Sequence, residues 1–275
     1  MIILWILAGA LLVYYGAYIV LRDRRPTRPL LIAHRGGPKY APENTLAAMR
    51  NAIAVGVDML ECDVQRSRDG TLVVIHDETV DRTTNGTGAV AQLTAAELAS
   101  LDAGSWKSPS FRGERIPTLD QCLWLLAGTV RINIELKARD LRLAGLVVAA
   151  IEQRGLHRQV MVSSFHLELL AAVRVRLPGV RIHHFLEHEL APDFFEREGR
   201  FVDSVGVAKD YVTPEVVAWF RAAGRPTWVW TVDDPAEALR FAAMGVESIT
   251  TNDPAGILAA LSEAGFRGLP PRTLG

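Results

Sequence analysis

Short apolar runs and amphipathic stretches alternate along most of the chain. The apolar runs have the length of buried strands, and the stretches between them repeat apolar residues at the helical period of three to four. The predicted strands span residues 30–33, 59–64, 131–136, 160–163, 180–185, 202–207, 227–232 and 246–250, and the main predicted helices span 45–55, 141–153, 167–176, 214–223 and 235–244.

A strand followed by a helix, repeated along the chain, predicts a parallel sheet with helical crossovers. Eight strands favour a closed (β/α)8 barrel over an open doubly wound sheet, which commonly has fewer strands. The first strand is not followed by a Gly-x-Gly-x-x-Gly turn, which counts against a dinucleotide-binding sheet. We therefore predict an α/β protein with a (β/α)8 TIM barrel over residues 30–262 and a C-terminal tail over 263–275.

One segment, residues 78–121, is longer than a barrel crossover. It contains turn signals, and the Thr94 and Glu97 pair has the spacing of a capping box. We predict that this segment is an insertion over one mouth of the barrel, with a short helix at residues 94–101.

The first twenty residues form an almost continuous apolar run without a charged side chain. As a helix, such a run is about 30 Å long, which matches the hydrocarbon core of a bilayer. Because neither Lys nor Arg precedes the run, we predict a transmembrane helix over residues 1–21, with a cleaved signal peptide as the alternative. A basic linker follows at 22–29, so the positive-inside rule predicts a single-pass membrane protein with a cytoplasmic catalytic domain.

A strong hairpin signal, Asp69-Gly70, lies between two β-prone runs. If these two residues form the whole loop, the return arm is antiparallel and Asp63 lies opposite His76. Alternation then places Glu61, Asp63 and His76 on one face, while Cys62 points to the core. Two carboxylates and an imidazole on one face predict a metal-assisted acid/base site, and a solvated strand face is the alternative for this segment alone.

Further polar side chains stand where other apolar runs end, which is where a (β/α)8 barrel builds its active site. Three carboxylates from neighbouring strands would suit one divalent cation, Ca²⁺ or Mg²⁺, and the cations beside them predict a phosphoryl substrate. Two histidines would supply the proton transfers that cleavage of a phosphodiester needs. The residues in this set are His34, Arg35, Glu43, Glu61, Asp63, His76, Glu135, Lys137 and Trp230.

The chain resembles the glycerophosphodiester phosphodiesterase family from Leu30 to about Leu261, in the order of the family's motifs. Each motif is short, but the ordered set is specific. The middle residues of Glu-x-Asp and Glu-x-Lys depart mildly from the family, and both should point away from the pocket. The motifs are His34-Arg35-Gly36, Ala41-Pro42-Glu43-Asn44-Thr45, Glu61-Cys62-Asp63-Val64, His76-Asp77, Arg82-Thr83-Thr84-Asn85-Gly86, Ile134-Glu135-Leu136-Lys137, Ser163-Ser164-Phe165, Trp230-Thr231-Val232-Asp233 and Thr250-Thr251-Asn252-Asp253-Pro254.

The resemblance implies metal-dependent hydrolysis of glycerophosphodiesters to sn-glycerol 3-phosphate and an alcohol. We hypothesise that the glycerol 2-hydroxyl attacks phosphorus while one histidine removes its proton and the other protonates the leaving alcohol, and that water then opens the cyclic phosphate. The implied roles are acid and base for His34 and His76, metal ligands for Glu61, Asp63 and Glu135, phosphate contacts for Arg35 and Lys137, orientation of His34 or Arg35 by Glu43, and an aromatic wall of the glycerol pocket for Trp230.

Alternative functions stay open at this point. A lysophospholipase D or phospholipase C-like enzyme would act on lysophospholipids or other membrane lipids in the same barrel, and a silent membrane-tethered binding module is a third possibility. With 30 Lys and Arg residues against 31 Asp and Glu residues, the chain has no basic surplus for nucleic acid.

Some chemically active side chains have an ordinary structural interpretation. We predict that His183, His184 and His188 lie on the surface or on the barrel exterior, and Arg35 could merely form a structural ion pair with Glu43. The two cysteines have no metal-binding spacing, and a disulfide between them is possible but not implied.

Overall fold

The computed structural model describes residues 26–187, 193–197 and 199–269. Within these residues one sheet contains eight parallel strands that close into a barrel, because β1 pairs with both β2 and β9. A further strand, β3, is antiparallel and pairs with β2. The strands are β1 (Leu30–Ala33), β2 (Met59–Arg66), β3 (Leu72–Val74), β4 (Arg131–Leu136), β5 (Val160–Ser164), β6 (Arg181–Leu186), β7 (Ser204–Ala208), β8 (Thr227–Trp230) and β9 (Ser248–Thr251).

The helices lie along the chain between these strands, as the alternation predicted. All five main helices of the sequence analysis are confirmed, with ends that differ by at most one residue, and the short helix in the insertion is confirmed as well. The helices are α1 (Leu46–Val55), α2 (Ala95–Ser100), α3 (Leu119–Leu126), α4 (Leu141–Arg154), α5 (Leu167–Arg176), α6 (Phe194–Arg197), α7 (Pro214–Ala222), α8 (Pro235–Met244) and α9 (Pro254–Glu263).

Polar side chains mark where several helices begin. Thr45 caps α1 by accepting a hydrogen bond from the Ala48 amide. At α2 the predicted capping box is present: Thr94 accepts from the Glu97 amide, while the Glu97 side chain accepts from the Thr94 amide. These caps satisfy amides that lack partners inside the first helical turn.

The main core lies between the barrel wall and the surrounding helices. Cys62 and Val64 of β2 point into it, as alternation predicted for Cys62, while residues 61 and 63 point into the barrel. Both Cys62 and Cys122 are buried free thiols. A smaller apolar cluster lies inside the barrel, toward the N-terminal ends of its strands. Its members are Ile32, Met59, Met161 and Trp228.

The prediction of an exterior position was wrong for His183, which is fully buried inside the barrel. Its ring lies 4.5 Å, centroid to centroid, from that of Trp228, and its Nδ1 lies 2.7 Å from Ser204 Oγ. Because side chains alternate along a strand, adjacent histidines must take opposite faces. His184 points outward, as predicted, and stacks on Phe194, whereas His188 lies outside the described residues.

The predicted hairpin exists, but its register differs from the prediction by one residue. Val64 pairs with Val74, so Asp63 lies opposite Ile75, whose amide donates to the Asp63 carbonyl at 2.9 Å. The loop has three residues rather than two, and Gly70 occupies its left-handed position with φ +87°. Since β3 ends at Val74, His76 follows the strand and reaches the barrel mouth from the next segment.

Residues 78–121 contain α2, two short 3₁₀ turns and the start of α3. A second apolar cluster anchors this segment beside the β2–β3 hairpin. Its buried members are Val73, Ile75, Val80, Val90, Leu98, Ala103 and Ile116.

The chain near residue 26 lies against the barrel. Thr27 forms a bridge with Arg267, and the buried Arg28 side chain pairs with Asp58. Within the described ranges 26–187, 193–197 and 199–269, no helix has the length and apolarity that crossing a membrane requires. The predicted transmembrane segment, residues 1–21, lies outside those ranges.

Candidate active site

A cavity of about 250 Å³ opens at the ends of the barrel strands. Seven of the nine predicted site residues line it, whereas Asp63 is buried beside them and Glu43 contacts the lining residue Arg35. Phe165, Phe185, Glu187, Thr231 and Thr250 complete the lining with His34, Arg35, Glu61, His76, Glu135, Lys137 and Trp230.

Three carboxylates from two neighbouring strands form the acidic part of this site. Glu61 and Asp63 come from β2, and Glu135 of β4 is in register with Asp63. One oxygen from each lies within 4.8 Å of the others, and all three residues are buried. Among the described residues, Glu61 Oε1 and Asp63 Oδ1 have no hydrogen-bond partner. A hard divalent cation fits such a set, because carboxylate oxygens are its preferred ligands.

Burial and mutual repulsion disfavour ionisation of these groups. Burial, together with the charges of Asp63 and Glu135, raises the pKa of Glu61 well above its ordinary value. Burial and Asp63 likewise raise the pKa of Glu135 to about 7. A bound cation would stabilise the charged forms and reverse both effects.

Two cationic side chains flank the carboxylates. Lys137 Nζ lies 2.7 Å from Glu135 Oε1 and 3.8 Å from Asp63 Oδ1. Arg35 Nε lies 3.3 Å from Asp63 Oδ2, and its NH1 donates to Glu43 Oε1 at 2.9 Å. The Arg35 backbone amide also donates to Glu61 Oε2 at 2.7 Å. Both cations therefore stand next to the acidic group and line the same cavity, where a phosphoryl group would meet them.

His34 is held by a neutral amide. Its Nδ1 lies 2.7 Å from Asn252 Oδ1, while the Asn252 side-chain and backbone N–H groups both donate to Asp233. Because this oxygen can only accept, His34 Nδ1 carries the hydrogen and Nε2 keeps a free lone pair. Burial and the Arg35 charge lower the pKa of His34 to about 4, so the ring is neutral at neutral pH.

His76 is held by a carboxylate instead. Its Nδ1 lies 2.7 Å from Asp77 Oδ1, and Arg82 donates to both Asp77 oxygens. These bonds from Arg82, with the bond from His76, lower the pKa of Asp77 to about 2. Gln65 fixes the backbone here by donating to the carbonyl oxygens of residues 75, 76 and 77.

Comparison with known proteins places the chain in a family. Residues 34–256 match the Glycerophosphoryl diester phosphodiesterase family. The chain is 36% identical over 242 residues to a glycerophosphodiester phosphodiesterase of Caldanaerobacter subterraneus subsp. tengcongensis. This match covers 86% of the chain and 100% of the relative. The chain belongs to this family.

Solved structures of the glycerophosphodiester phosphodiesterase family share the fold. A phosphodiesterase from Oleispira antarctica in complex with the product sn-glycerol 3-phosphate has a TM-score of 0.80 and 28% identity, and the match covers 86% of this chain and 97% of that one. A glycerophosphodiester phosphodiesterase from Agrobacterium tumefaciens has a TM-score of 0.75 and 33% identity, with coverage of 85% and 99%.

Several residues that support the site were within the family motifs but were not predicted to have a role. Asn44, at φ +59°, donates to Asp63 Oδ2 and accepts from the Asp63 amide. Asp77, Arg82 and Asn252 contact predicted residues, and their motif positions were the available signal. Their roles could not be read from strand ends, because each lies in a loop. Glu43 contacts Arg35, one of the two partners predicted for it.

Proposed function

We propose that this chain hydrolyses glycerophosphodiesters to sn-glycerol 3-phosphate and an alcohol. One observation carries the proposal: two histidines with different hydrogen-bond partners, Arg35, Lys137 and two of the three clustered carboxylates line a single cavity. Such a cavity can bind the phosphoryl group and move protons at both oxygens that exchange at phosphorus.

Glu61, Asp63 and Glu135 would hold one divalent cation, Ca²⁺ or Mg²⁺. When bound, this ion neutralises charge on the non-bridging phosphoryl oxygens. Arg35 and Lys137 bind those oxygens from the side of the protein, and Glu43 orients the Arg35 guanidinium through their hydrogen bond. Trp230 packs within 5.6 Å of Phe165 and Phe185, centroid to centroid, and this apolar wall takes the glycerol carbons.

We assign different roles in the first step to the two histidines, because His34 is neutral and can act as the base. His34 Nε2 takes the proton from the glycerol 2-hydroxyl, whose oxygen attacks phosphorus, and His76 gives a proton to the leaving alcohol oxygen. Water then attacks the cyclic phosphate as His76 removes its proton, and His34 returns a proton to the 2-oxygen. Burial and the Arg35 charge keep His34 neutral before the first step, Asn252 fixes the direction of its ring, and Asp77 fixes the direction of the His76 ring through Nδ1.

The proposed reaction is tested by incubating the full-length protein with glycerophosphocholine, glycerophosphoethanolamine or lysophosphatidylcholine. Each substrate is used with Ca²⁺, with Mg²⁺ and with EDTA. We expect glycerol 3-phosphate from the first two substrates with a divalent cation, and no product with EDTA. Mass spectrometry identifies the products. Lysophosphatidic acid as the main product would instead assign a lysophospholipase D activity, and turnover in EDTA would contradict the metal requirement.

We also propose that residues 1–21 anchor the enzyme in a membrane, with the catalytic domain in the cytoplasm. The uncharged apolar run and the arginines after it support this proposal. Cell fractionation should leave the full chain in the membrane fraction after alkaline washing, and a variant without residues 1–21 should be released. Digestion of the barrel by protease added outside intact spheroplasts would contradict the orientation.

A further inference from the structure

We infer that Arg82, from the insertion at residues 78–121, is a positioning residue that holds His76 and Arg35 in place together. This inference rests on the proposed function, since it concerns the same cavity. It assigns the insertion a part in the reaction, because one of its side chains links the histidine that moves protons to the guanidinium that meets the phosphoryl group.

The inference rests on a continuous series of ion pairs and hydrogen bonds that joins Arg82 to His76 and to Arg35. Arg82 donates to both oxygens of Asp77, through Nε at 2.6 Å and NH2 at 3.0 Å. It also donates to both oxygens of Glu43, through NH1 at 2.9 Å and NH2 at 2.8 Å. Asp77 contacts His76 and Glu43 contacts Arg35, so all of the N–H-bearing nitrogens of the Arg82 guanidinium support the site.

The NH2 group of Arg82 is shared by the two carboxylates. Because both accept from this one nitrogen, Asp77 and Glu43 are held close together with a cation between them. Without the cation the two carboxylates would repel each other. Each would then move with its partner, so His76 and Arg35 would shift relative to the phosphoryl group.

The insertion itself fixes where Arg82 stands. Thr84 Oγ1 donates to the Val80 carbonyl at 2.7 Å and accepts from the Gly86 amide at 3.0 Å. Val80 belongs to the second apolar cluster, and both it and Thr84 are buried. The turn that carries Arg82 is therefore tied to a packed core beside the site.

Exposure separates this role from a contribution to stability. The Arg82 side chain is 46% exposed, and exposed ion pairs add little to the free energy of folding. Alignment of reacting groups is far more sensitive, because a displacement of about 1 Å can cost roughly 100-fold in rate. We therefore expect loss of Arg82 to lower turnover much more than thermal stability.

The test compares Arg82→Ala and Arg82→Lys with the control Arg115→Ala in the full-length protein. Arg115 is also in the insertion, but it donates to the Ser100 carbonyl and not to the site. We expect kcat for glycerophosphocholine to fall roughly 10- to 100-fold in Arg82→Ala, with a smaller change in KM. Arg82→Lys keeps the charge but not the planar fork, so its kcat should lie between the two. Arg115→Ala should match the unsubstituted enzyme.

Two further readouts separate positioning from a loss of folding. Added guanidinium ion should raise the kcat of Arg82→Ala, because the site of the lost group is open to solvent, and should not raise that of Arg115→Ala. A p-nitrophenyl ester of glycerol 3-phosphate has a leaving group that needs no proton. The deficit of Arg82→Ala should therefore be smaller for this ester than for glycerophosphocholine.

The outcomes that overturn the inference are distinct from failure of the proposed function. If the unsubstituted enzyme forms no glycerol 3-phosphate, the proposed function fails. If that enzyme is active but Arg82→Ala or Arg82→Lys has the same kcat, Arg82 does not position the site. Equal deficits for the two esters would overturn its action through His76. If Arg82→Ala does not fold, Arg82→Lys decides the question through its kcat and through the comparison of the two esters.

Discussion

At the scale of single residues, the two histidines of the cavity differ through the atoms that touch Nδ1. His34 meets the amide oxygen of Asn252, and His76 meets the carboxylate of Asp77. In each case the partner fixes the direction of the ring and leaves Nε2 for the reaction. Burial, with the Arg35 charge, then keeps His34 neutral and able to accept a proton.

Asn252→Ala tests the support of His34. The substitution removes the acceptor of Nδ1–H, so the ring can turn and Nε2 loses its fixed direction. We expect kcat to fall roughly 10- to 100-fold, as for other partners that orient a reacting group. Circular dichroism melting should show a folded protein, since Asp233 keeps its bonds to Thr251 and the residue 252 amide. Unchanged kcat would contradict the orienting role.

His183 contributes to the pH dependence of stability. Burial lowers its pKa from 6.5 to about 3 in the folded protein. Between these two pH values the unfolded chain binds more protons than the folded protein does. The folded state therefore becomes less stable as pH falls below about 6.5.

His183→Gln removes this proton uptake from the unfolded chain. Between pH 7 and 4.5 its free energy of unfolding should fall less than that of the parent protein, by roughly 2–3 kcal/mol. Urea titrations of both proteins at both pH values measure these free energies of unfolding. The contributions of the other titratable groups cancel when the two proteins are compared. Parallel pH dependences of the two proteins would show that His183 is not the cause.

At the scale of elements, the periodicity of the sequence predicted the eight strands and five main helices, because each buries a face with its own repeat. It predicted the hairpin but not its register. The side chain of Asp69 accepts from Ser67 Oγ and from the Ala95 amide, 26 residues away. Turn preferences are read from neighbouring residues and take no account of a contact with a residue so distant in the chain. They therefore predicted a loop of two residues, whereas the loop has three.

Gly70→Ala tests the conformation of this loop. At φ +87° a Cβ atom meets nothing within 4 Å, so the cost comes from the backbone alone. We expect a loss of about 1–2 kcal/mol in the free energy of unfolding, measured by urea denaturation. Gly179→Ala also has open space but no left-handed φ, and it should change stability little. Equal effects of the two substitutions would contradict this account.

At the scale of the whole molecule, the sequence placed the residues at strand ends correctly because parallel strands bring those ends to one mouth. It could not place Arg82, whose contacts with Glu43 span 39 residues and come from a segment without a regular period. Its position depends on the folding of the insertion against the barrel. Alternation does require one of the adjacent residues His183 and His184 to face the barrel interior, and the prediction that both lie outside overlooked this.

The barrel carries an electrostatic cost at its centre, and a cation should relieve it. The pKa of Glu135 is raised to about 7 by burial and Asp63, so between its ordinary value of 4.5 and about 7 the folded protein binds more protons than the unfolded chain. In EDTA, stability should therefore fall as pH rises through this range. Added Ca²⁺ or Mg²⁺ should raise the melting temperature, most clearly at pH 7 and above.

Glu135→Gln removes one of the three carboxylates, Glu61, Asp63 and Glu135, while nearly keeping its shape. In EDTA at pH 8 we expect this variant to melt at a higher temperature than the parent protein, because one buried charge and its repulsion are gone. The same variant should lose most of its activity and most of its stabilisation by divalent cations, since a ligand is missing. Melting curves with EDTA and with each cation measure both effects. Equal stabilisation of the two proteins by the cation would mean that the ion binds elsewhere.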